Sequence, residues 1–220
     1  ACCWAWPHPG SGPCYGTKVV DSGIVQERTL IGDEVDLDLL PIVKHNDKDG
    51  GPYITGGVTQ IIDPETGKRN LAIYRHIKVG RNKLGIKFAD TSHGYYIFDK
   101  YVKAGYKSIP VSIFIGHHPI YYMSAVSLND YDLDEYDLVS SYLGEKVELV
   151  KCKTIDHAVP AHAEIVLEGE INPEEMIDDG PIGEFTMVYG KKITVPSLTI
   201  KAITMREKPI YLDINSGRLD

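Results

Sequence analysis

Two carboxylates stand at the ends of a short run that contains glycine and proline, Asp179-Gly-Pro-Ile-Gly-Glu184. Glycine and proline in this arrangement are typical of a stiff turn. Two carboxylates near each other and near an arginine take different pKa values, so that one donates a proton while the other stays an orienting anion. Turns of this kind are also common on the surfaces of acidic proteins. The run is therefore a candidate acid site whose meaning depends on its neighbours.

Arg75 is the second candidate, because it ends the strand-like segment Asn70-Leu-Ala-Ile-Tyr-Arg75. Strand alternation predicts that it shares a face with four aliphatic residues, Leu71, Ile73, Ile77 and Val79. A guanidinium in such surroundings is costly unless it is paired. Two interpretations remain open: the stem packs while the head reaches solvent, or the head binds a carboxylate of a substrate or of Glu184.

Asn70, His93 and Glu135 form the third candidate, a metal site. An amide oxygen, an imidazole and a carboxylate together suit a hard divalent ion such as Mn²⁺ or Mg²⁺, with coordination positions left for phosphate oxygens. Each residue also has an ordinary interpretation: the end of a hairpin, a loop residue before Gly94, and a helix cap. Their spacing alone does not bring them together.

The elements that must position these residues are mostly strands. Alternating apolar residues between turn signals predict strands at residues 53–62, 70–79, 84–88, 109–115, 146–153, 164–171, 185–189, 197–205 and 209–214. Apolar residues at helical spacing predict helices at residues 98–106, 120–127 and 134–143. Pro119 suits the first turn of the second helix, and Asp132 or Asp134 the N-cap of the third. This order predicts a β-rich α+β fold, a barrel or sandwich with a few helices, and not an alternating α/β fold.

Composition and charge argue against some classes of binding partner. The 220 residues allow one large domain. With 23 basic against 31 acidic residues the net charge is -8, which argues against nucleic acid or an anionic membrane as a partner. No apolar run approaches the roughly 18 residues of a membrane-spanning helix. The first residues are not typical of a signal peptide, and four cysteines are too few for a disulfide framework, so we expect a cytoplasmic protein.

Several ordered segments between residues 31 and 213 resemble the UbiD family of decarboxylases, which use prenylated FMN. They are Gly50-Gly-Pro-Tyr-Ile-Thr55, Asp63-Pro-Glu-Thr-Gly67, Asn70-Leu-Ala-Ile-Tyr-Arg75, Val147-Glu-Leu-Val-Lys-Cys152, Val159-Pro-Ala-His-Ala-Glu-Ile-Val-Leu-Glu-Gly169 and Asp179-Gly-Pro-Ile-Gly-Glu184. The resemblance implies a flavin-reductase-like split β-barrel over residues 18–214. Residues 1–17 are then an irregular leader, and residues 215–220 a tail that leads to an oligomerisation domain absent from this chain.

The resemblance also assigns roles to single residues. It implies that Asn70, His93 and Glu135 hold Mn²⁺ (or Mg²⁺) against the cofactor phosphate. The residues implied to contact the flavin are Ile73, Tyr74, Arg75, Lys87, Phe88 and Ala89. Those implied to offer oxygens to K⁺ are Ala125, Val126 and Ser127. Arg75, Asp179 and Glu184 match the family's catalytic trio, although many members have Glu where this chain has Asp179.

The implied reaction is the reversible, non-oxidative decarboxylation of an aromatic or α,β-unsaturated acid, with the modified flavin as electron sink, Glu184 as proton donor and CO₂ as product. A prenylflavin synthase would supply the cofactor. Family members run to more than twice this length, so we expect a homo-oligomer, a partner subunit or a fragment. Two alternatives remain: a cofactor-holding subunit without turnover, and an ordinary flavin oxidoreductase barrel. The trio disfavours the first of these, and both the trio and the metal set disfavour the second.

Overall fold

The computed structural model describes residues 13–184 and 186–215. Its strands are β1 (Thr17–Val20), β2 (Arg28–Ile31), β3 (Tyr53–Ile54), β4 (Gly57–Ile62), β5 (Arg69–Ile73), β6 (Arg75–Lys78), β7 (Lys83–Lys87), β8 (Ile109–Ile115), β9 (Val147–Lys151), β10 (Ala158–Pro160), β11 (Ile165–Asp179) and β12 (Ile193–Met205). The helices are α1 (His93–Lys103), α2 (Pro119–Ala125) and α3 (Glu135–Leu143), with short 3-10 turns at Ile24–Gln26, Gly32–Glu34 and Leu37–Leu39. No helix in these two ranges is long and apolar enough to cross a membrane.

Most strands belong to one nine-stranded antiparallel sheet in the order β3-β6-β7-β12-β11-β8-β4-β5, with β2 added at the far end of β12. A separate three-stranded sheet has the order β1-β9-β10. The long strands β11 and β12 pair along most of their length and form the centre of the large sheet. Its ends, β3 and β5, do not pair with each other, so the sheet remains an open barrel. The β-rich split-barrel prediction is confirmed.

The core lies on both faces of this sheet, as strand β8 illustrates. Val111, Ile113 and Ile115 point into one apolar cluster, and Phe114 points into the other. The second cluster also contains Tyr121 of α2 and residues of α3, so these helices cover that face. Because side chains alternate along a strand, β8 is buried on both sides. Side chains in the middle of this strand are therefore inaccessible, and we expect a site at the ends of strands.

Two predicted strands are broken. The predicted strand 53–62 divides into β3 and β4 at Gly56, where the segment 209–214 approaches so closely that a Cβ atom would lie 2.6 Å from the Leu212 carbonyl oxygen. The predicted strand 70–79 divides at Tyr74. Leu71 and Ile77 consequently lie in different apolar clusters. The prediction that Arg75 shares one face with four aliphatic residues was therefore wrong.

Other boundaries also differ. Helix α1 begins at His93 and not at residue 98, because the Ser92 hydroxyl accepts a hydrogen bond from the Tyr95 N–H and caps it. Helices α2 and α3 lie close to the predicted positions, with Pro119 in the first turn of α2 and Asp134 as the N-cap of α3. β11 and β12 are longer than predicted and reach Asp179 and Ile193.

Two predicted strands are not formed. Residues 186–189 lie in a turn closed by a bridge between Gly183 and Tyr189, and Phe185 lies outside the described residues. Residues 209–214 join no sheet. The predicted leader and tail, residues 1–17 and 215–220, lie mostly outside the described residues, although β1 already begins at Thr17.

Candidate active site

Arg75 and Asp179 meet at the ends of two strands, β6 and β11, that do not pair with each other. Arg75 is the first residue of β6, and Asp179, which is 1% exposed, is the last of β11. The guanidinium donates from Nε and Nη2 to Asp179 Oδ2 at 3.0 and 2.7 Å. Hydrogen bonds between opposite charges are the strong ones, and here they fix the head group of Arg75.

Tyr53 completes this network. Its hydroxyl donates to Asp179 Oδ1 at 2.8 Å and accepts from the Gly180 N–H at 3.0 Å. Burial, and then the hydrogen bond to Asp179, raise the pKa of Tyr53 well above its usual range, so the phenol remains a donor. Both oxygens of Asp179 are thus occupied. Sequence reasoning missed Tyr53; the only signal was its place in the segment Gly50–Thr55, where a tyrosine directly follows Gly-Gly-Pro.

The turn at residues 179–184 is held by the loop before β3. The Gly50 N–H donates to the Pro181 carbonyl at 2.7 Å, and the Gly183 N–H donates to Asp49 Oδ1 at 2.8 Å. A Cβ atom at Gly50 would lie 2.3 Å from the Gly180 carbonyl oxygen, so this approach requires glycine. The predicted rigid turn therefore has fixed partners along its length.

Glu184 lies at the end of this turn and is half-buried. Its backbone is held by Val188 and Met187 at 3.0 and 2.9 Å. Across residues 13–184 and 186–215, the ion pair of Arg75 is to Asp179, and the Glu184 carboxylate forms no hydrogen bond or ion pair. The structure therefore brings Arg75 and Asp179 together, whereas the Glu184 carboxylate has no partner among the described residues.

Asn70, His93 and Glu135 line one cavity of about 230 Å³. Asn70 Nδ2 donates to Glu135 Oε1 at 3.1 Å, and the Leu71 N–H donates to Glu135 Oε2 at 2.9 Å. Asn70 Oδ1 is buried and has no hydrogen-bond partner in residues 13–184 and 186–215. Burial raises the pKa of Glu135 to about 7, and the Leu71 N–H opposes this only in part.

These features fit a divalent cation. A bound cation would stabilise both the buried Asn70 amide oxygen, which lacks a donor, and the poorly solvated Glu135 carboxylate. Oxygen and imidazole ligands suit Mn²⁺ or Mg²⁺. In the part of the chain that the structure describes, no three His, Cys, Asp or Glu side chains converge as a metal site. The Asn70 set contains two such residues and an amide.

The residues predicted to offer oxygens to K⁺ border the same cavity. Ala125, Val126 and Ser127 form part of its wall. The Ser127 hydroxyl donates to the Met123 carbonyl at 2.7 Å, which closes the end of α2. The residues of the two predicted cation sites thus line one cavity.

The predicted flavin contacts surround the Tyr74 break. Arg75 pairs with Lys87 across β6 and β7, and Lys87 forms an ion pair with Asp90 at 2.8 Å. Tyr74 and Phe88 are buried with ring centroids 4.9 Å apart. Tyr74 lines the cavity of Asn70, Phe88 packs into the core, and Ile73 precedes the break. Beyond Phe88, the Ala89 carbonyl accepts from the Ser92 hydroxyl at 2.7 Å and ties this strand end to α1.

Comparison with known proteins agrees with this arrangement. The model of the UbiD 3-octaprenyl-4-hydroxybenzoate carboxy-lyase Rift-related domain matches residues 18–219. An uncharacterized protein of Aquifex aeolicus is 39% identical over 203 residues, which are 91% of this chain and 41% of that protein. The chain therefore belongs to the UbiD family.

Solved structures show the same relationship. The UbiD-class enzyme HmfF from Pelotomaculum thermopropionicum, in complex with FMN, is 35% identical with a TM-score of 0.86 over 93% of this chain and 45% of that chain. Vanillic acid decarboxylase from Sedimentibacter hydroxybenzoicus, in closed form, is 29% identical with a TM-score of 0.88 over 93% of this chain and 44% of that chain. The chain thus spans less than half the length of these relatives.

Proposed function

We propose that this chain is the cofactor-binding part of a prenylated-FMN-dependent decarboxylase that acts, reversibly and without net oxidation, on an aromatic or α,β-unsaturated carboxylic acid. The observation that carries the proposal is the Arg75–Asp179 ion pair at the start of the turn that ends in Glu184, whose carboxylate forms no hydrogen bond or ion pair within residues 13–184 and 186–215. HmfF has been solved with FMN and, as an evolved dimeric form, with prenylated FMN. An oxidoreductase barrel needs neither this trio nor the Asn70 cavity.

Asn70, His93 and Glu135 would hold Mn²⁺ or Mg²⁺, which in turn would bind the cofactor phosphate. The unpartnered Asn70 Oδ1 supports this role. The chain segments at residues 73–75 and 87–89 would contact the flavin, and Ala125 and Ser127 would supply oxygens to K⁺. Prenylated FMN, when bound, supplies the electron sink for the carbon that loses CO₂.

Arg75 orients the substrate carboxylate in this proposal. Two of its N–H groups are used by Asp179, and the remaining donors are available to a carboxylate of the substrate. Because Asp179 and Tyr53 hold the guanidinium in place, little conformational freedom is lost when the substrate binds. Glu184 then gives its proton to the carbon from which CO₂ has left.

The test is Glu184→Gln, with Glu174→Gln as the matched control on an exposed carboxylate. The full chain is produced together with a prenylflavin synthase and supplied with Mn²⁺ and K⁺, and CO₂ release is measured over a panel of aromatic and acrylic acids. We expect Glu184→Gln to retain the flavin and to lose at least about 100-fold in rate. Wild-type rates in Glu184→Gln would refute the assigned proton donor.

A second function has its own support, namely the length of the chain. Since it spans 41% of the Aquifex protein and 45% of HmfF, a cofactor-binding subunit that turns over only with a partner polypeptide or as an oligomer is the alternative. Native mass spectrometry with a parallel rate assay separates the two. Bound cofactor without turnover, restored by a second polypeptide, would favour the subunit.

A further inference from the structure

Asp63 lies at the end of β4 with a fully buried carboxylate. It accepts hydrogen bonds from Lys100 Nζ at 2.8 Å, from the Glu65 N–H at 2.8 Å and from the Tyr131 hydroxyl. Burial alone would raise the pKa of Asp63, but the hydrogen bonds from Lys100 and Tyr131 hold it well below its usual range. The carboxylate is therefore a fixed anion at neutral pH.

The partners of Asp63 reach the His93 side of the cavity. The Tyr131 ring packs edge-on against the His93 ring, with centroids 5.3 Å apart and planes at 89°, and similarly against Tyr96 at 5.3 Å. Lys100 Nζ lies over the rings of Tyr96 and Tyr131, at 4.9 and 5.7 Å. One buried anion thus ties the last turn of α1 to the segment that precedes Glu135.

The His93 ring packs against this group of residues. Within residues 13–184 and 186–215 its side chain forms no hydrogen bond, and it contacts the Tyr131 ring. Metal-binding histidines usually have a further partner that fixes the ring, and removal of that partner typically weakens metal binding by roughly 10–100-fold. Here an aromatic edge occupies that place.

We propose that Tyr131, fixed by Asp63 and Lys100, is a positioning residue that sets the His93 ring for a divalent cation shared with Asn70 and Glu135. The inference rests on the proposed function, because it requires a cation at that cavity. The Tyr131 hydroxyl donates to Asp63, and the donors to Glu135 are Asn70 and the Leu71 N–H. Tyr131 is therefore not proposed as a metal ligand.

The experiment compares Tyr131→Phe with Tyr101→Phe. Tyr131→Phe keeps the ring against His93 but removes the hydroxyl that anchors it to Asp63. Tyr101→Phe removes a hydroxyl that ties α1, the helix that carries His93, to the Ile62 carbonyl at 2.9 Å. The ring that packs against His93 is that of Tyr131 and not of Tyr101. Mn²⁺ binding to the full chain with saturating FMN is measured by electron paramagnetic resonance, and thermal midpoints are recorded for each variant.

We expect Tyr131→Phe to raise the Mn²⁺ dissociation constant about 10-fold and Tyr101→Phe to change it less than about twofold, at similar thermal midpoints. An unchanged Mn²⁺ affinity in Tyr131→Phe would overturn the positioning role and leave the proposed metal site standing. Equal weakening in both variants would overturn it as well, since it would indicate general loosening of α1. Absence of Mn²⁺ binding in the wild-type protein would overturn both the inference and the metal part of the proposed function.

If Tyr131→Phe does not fold, Asp63→Asn provides the second variant. It retains an oxygen that accepts from the Tyr131 hydroxyl but removes the charge that holds Lys100. We expect the Mn²⁺ dissociation constant to rise by more than about twofold and less than about 10-fold. Wild-type affinity in a folded Asp63→Asn protein would contradict the role of the buried anion.

Discussion

The Asp179 end of the acid turn and the Asn70 cavity differ in how far the protein satisfies its own polar groups. At Asp179, both carboxylate oxygens are occupied by Arg75 and Tyr53. In the cavity, Asn70 Oδ1 has no hydrogen-bond partner within the described residues, and burial raises the pKa of Glu135 to about 7. The Asp179 network is therefore assembled without a ligand, whereas the cavity keeps polar groups that a bound cation would stabilise. This difference is what we expect if the turn orients a substrate and the cavity holds an ion.

Replacement of Arg75 should have the largest effect on stability. Arg75→Met leaves Asp179, which is 1% exposed, with Tyr53 as its remaining side-chain partner. Loss of one partner of a buried ion pair costs about 3 kcal/mol of unfolding free energy, at the low end of the usual range because Arg75 is partly exposed. Urea unfolding measures this loss. Arg81→Met, which removes an exposed pair with Asp36, is the control and should cost less than about 1 kcal/mol. Equal losses would mean that the turn is not preassembled.

Addition of a divalent cation should change the unfolding free energy of the protein by slightly less than the Arg75 replacement does. With FMN present, Mn²⁺ at about 100 times its dissociation constant should raise the unfolding free energy by about 2.7 kcal/mol. Asn70→Ala removes the unpartnered oxygen and should abolish most of this gain, whereas Asn82→Ala, at an exposed position, should keep it. Thermal unfolding with and without Mn²⁺ checks the prediction. A full gain in Asn70→Ala would show that the ion binds elsewhere.

Acidification should weaken the strand that carries Arg75. His76 is fully buried beside it, and burial lowers its pKa to about 4. Below pH 6.5 the His76 imidazole binds a proton in the unfolded chain but stays neutral in the folded protein. The free energy of unfolding therefore falls as the pH falls from 6.5 to about 4. This residue alone accounts for about 2 kcal/mol between pH 7 and pH 5.

Urea unfolding of the wild type and of His76→Gln at these two pH values measures that share. The exposed His162, paired with Glu148 at 3.0 Å, provides the control substitution His162→Gln. We expect the pH dependence to shrink in His76→Gln and to persist in the control. The same dependence in His76→Gln as in the wild type would assign it to other groups, of which His157 is one, with a pKa lowered by burial to about 4.

Local sequence signals correctly predicted those strands and helices whose bounds depend on nearby residues. Strand β8 matches the prediction because its apolar run is buried on both faces, and α3 matches because Asp134 and Gly144 cap it. The breaks at Gly56 and Tyr74 were missed, since they coincide with contacts to distant residues: Leu212 passes Gly56, and the Tyr74 hydroxyl donates to Ser92 at 2.9 Å. β11 continues through a polar stretch with a bulge after Asn172, where alternation fails.

The candidate site shows the same limit. Residue types suggested an acid turn and a metal set, and the family resemblance joined them to Arg75. The hydroxyls of Tyr53 and Tyr131 were missed, because a tyrosine in an apolar segment looks like any core aromatic until its partner is known. The sequence gives no signal that the Asp63 carboxylate is fully buried between α1 and Tyr131. Only the fold brings such partners together.

The most direct test of the central claim is the absorbance spectrum and native mass of the full chain after production with a prenylflavin synthase, Mn²⁺ and K⁺. The account predicts one modified flavin and one Mn²⁺ per chain, with the Mn²⁺ lost in Asn70→Ala and retained in Asn82→Ala. A folded protein that binds neither the flavin nor Mn²⁺ would contradict the assignment of the cavity and the acid turn to one cofactor site in this chain.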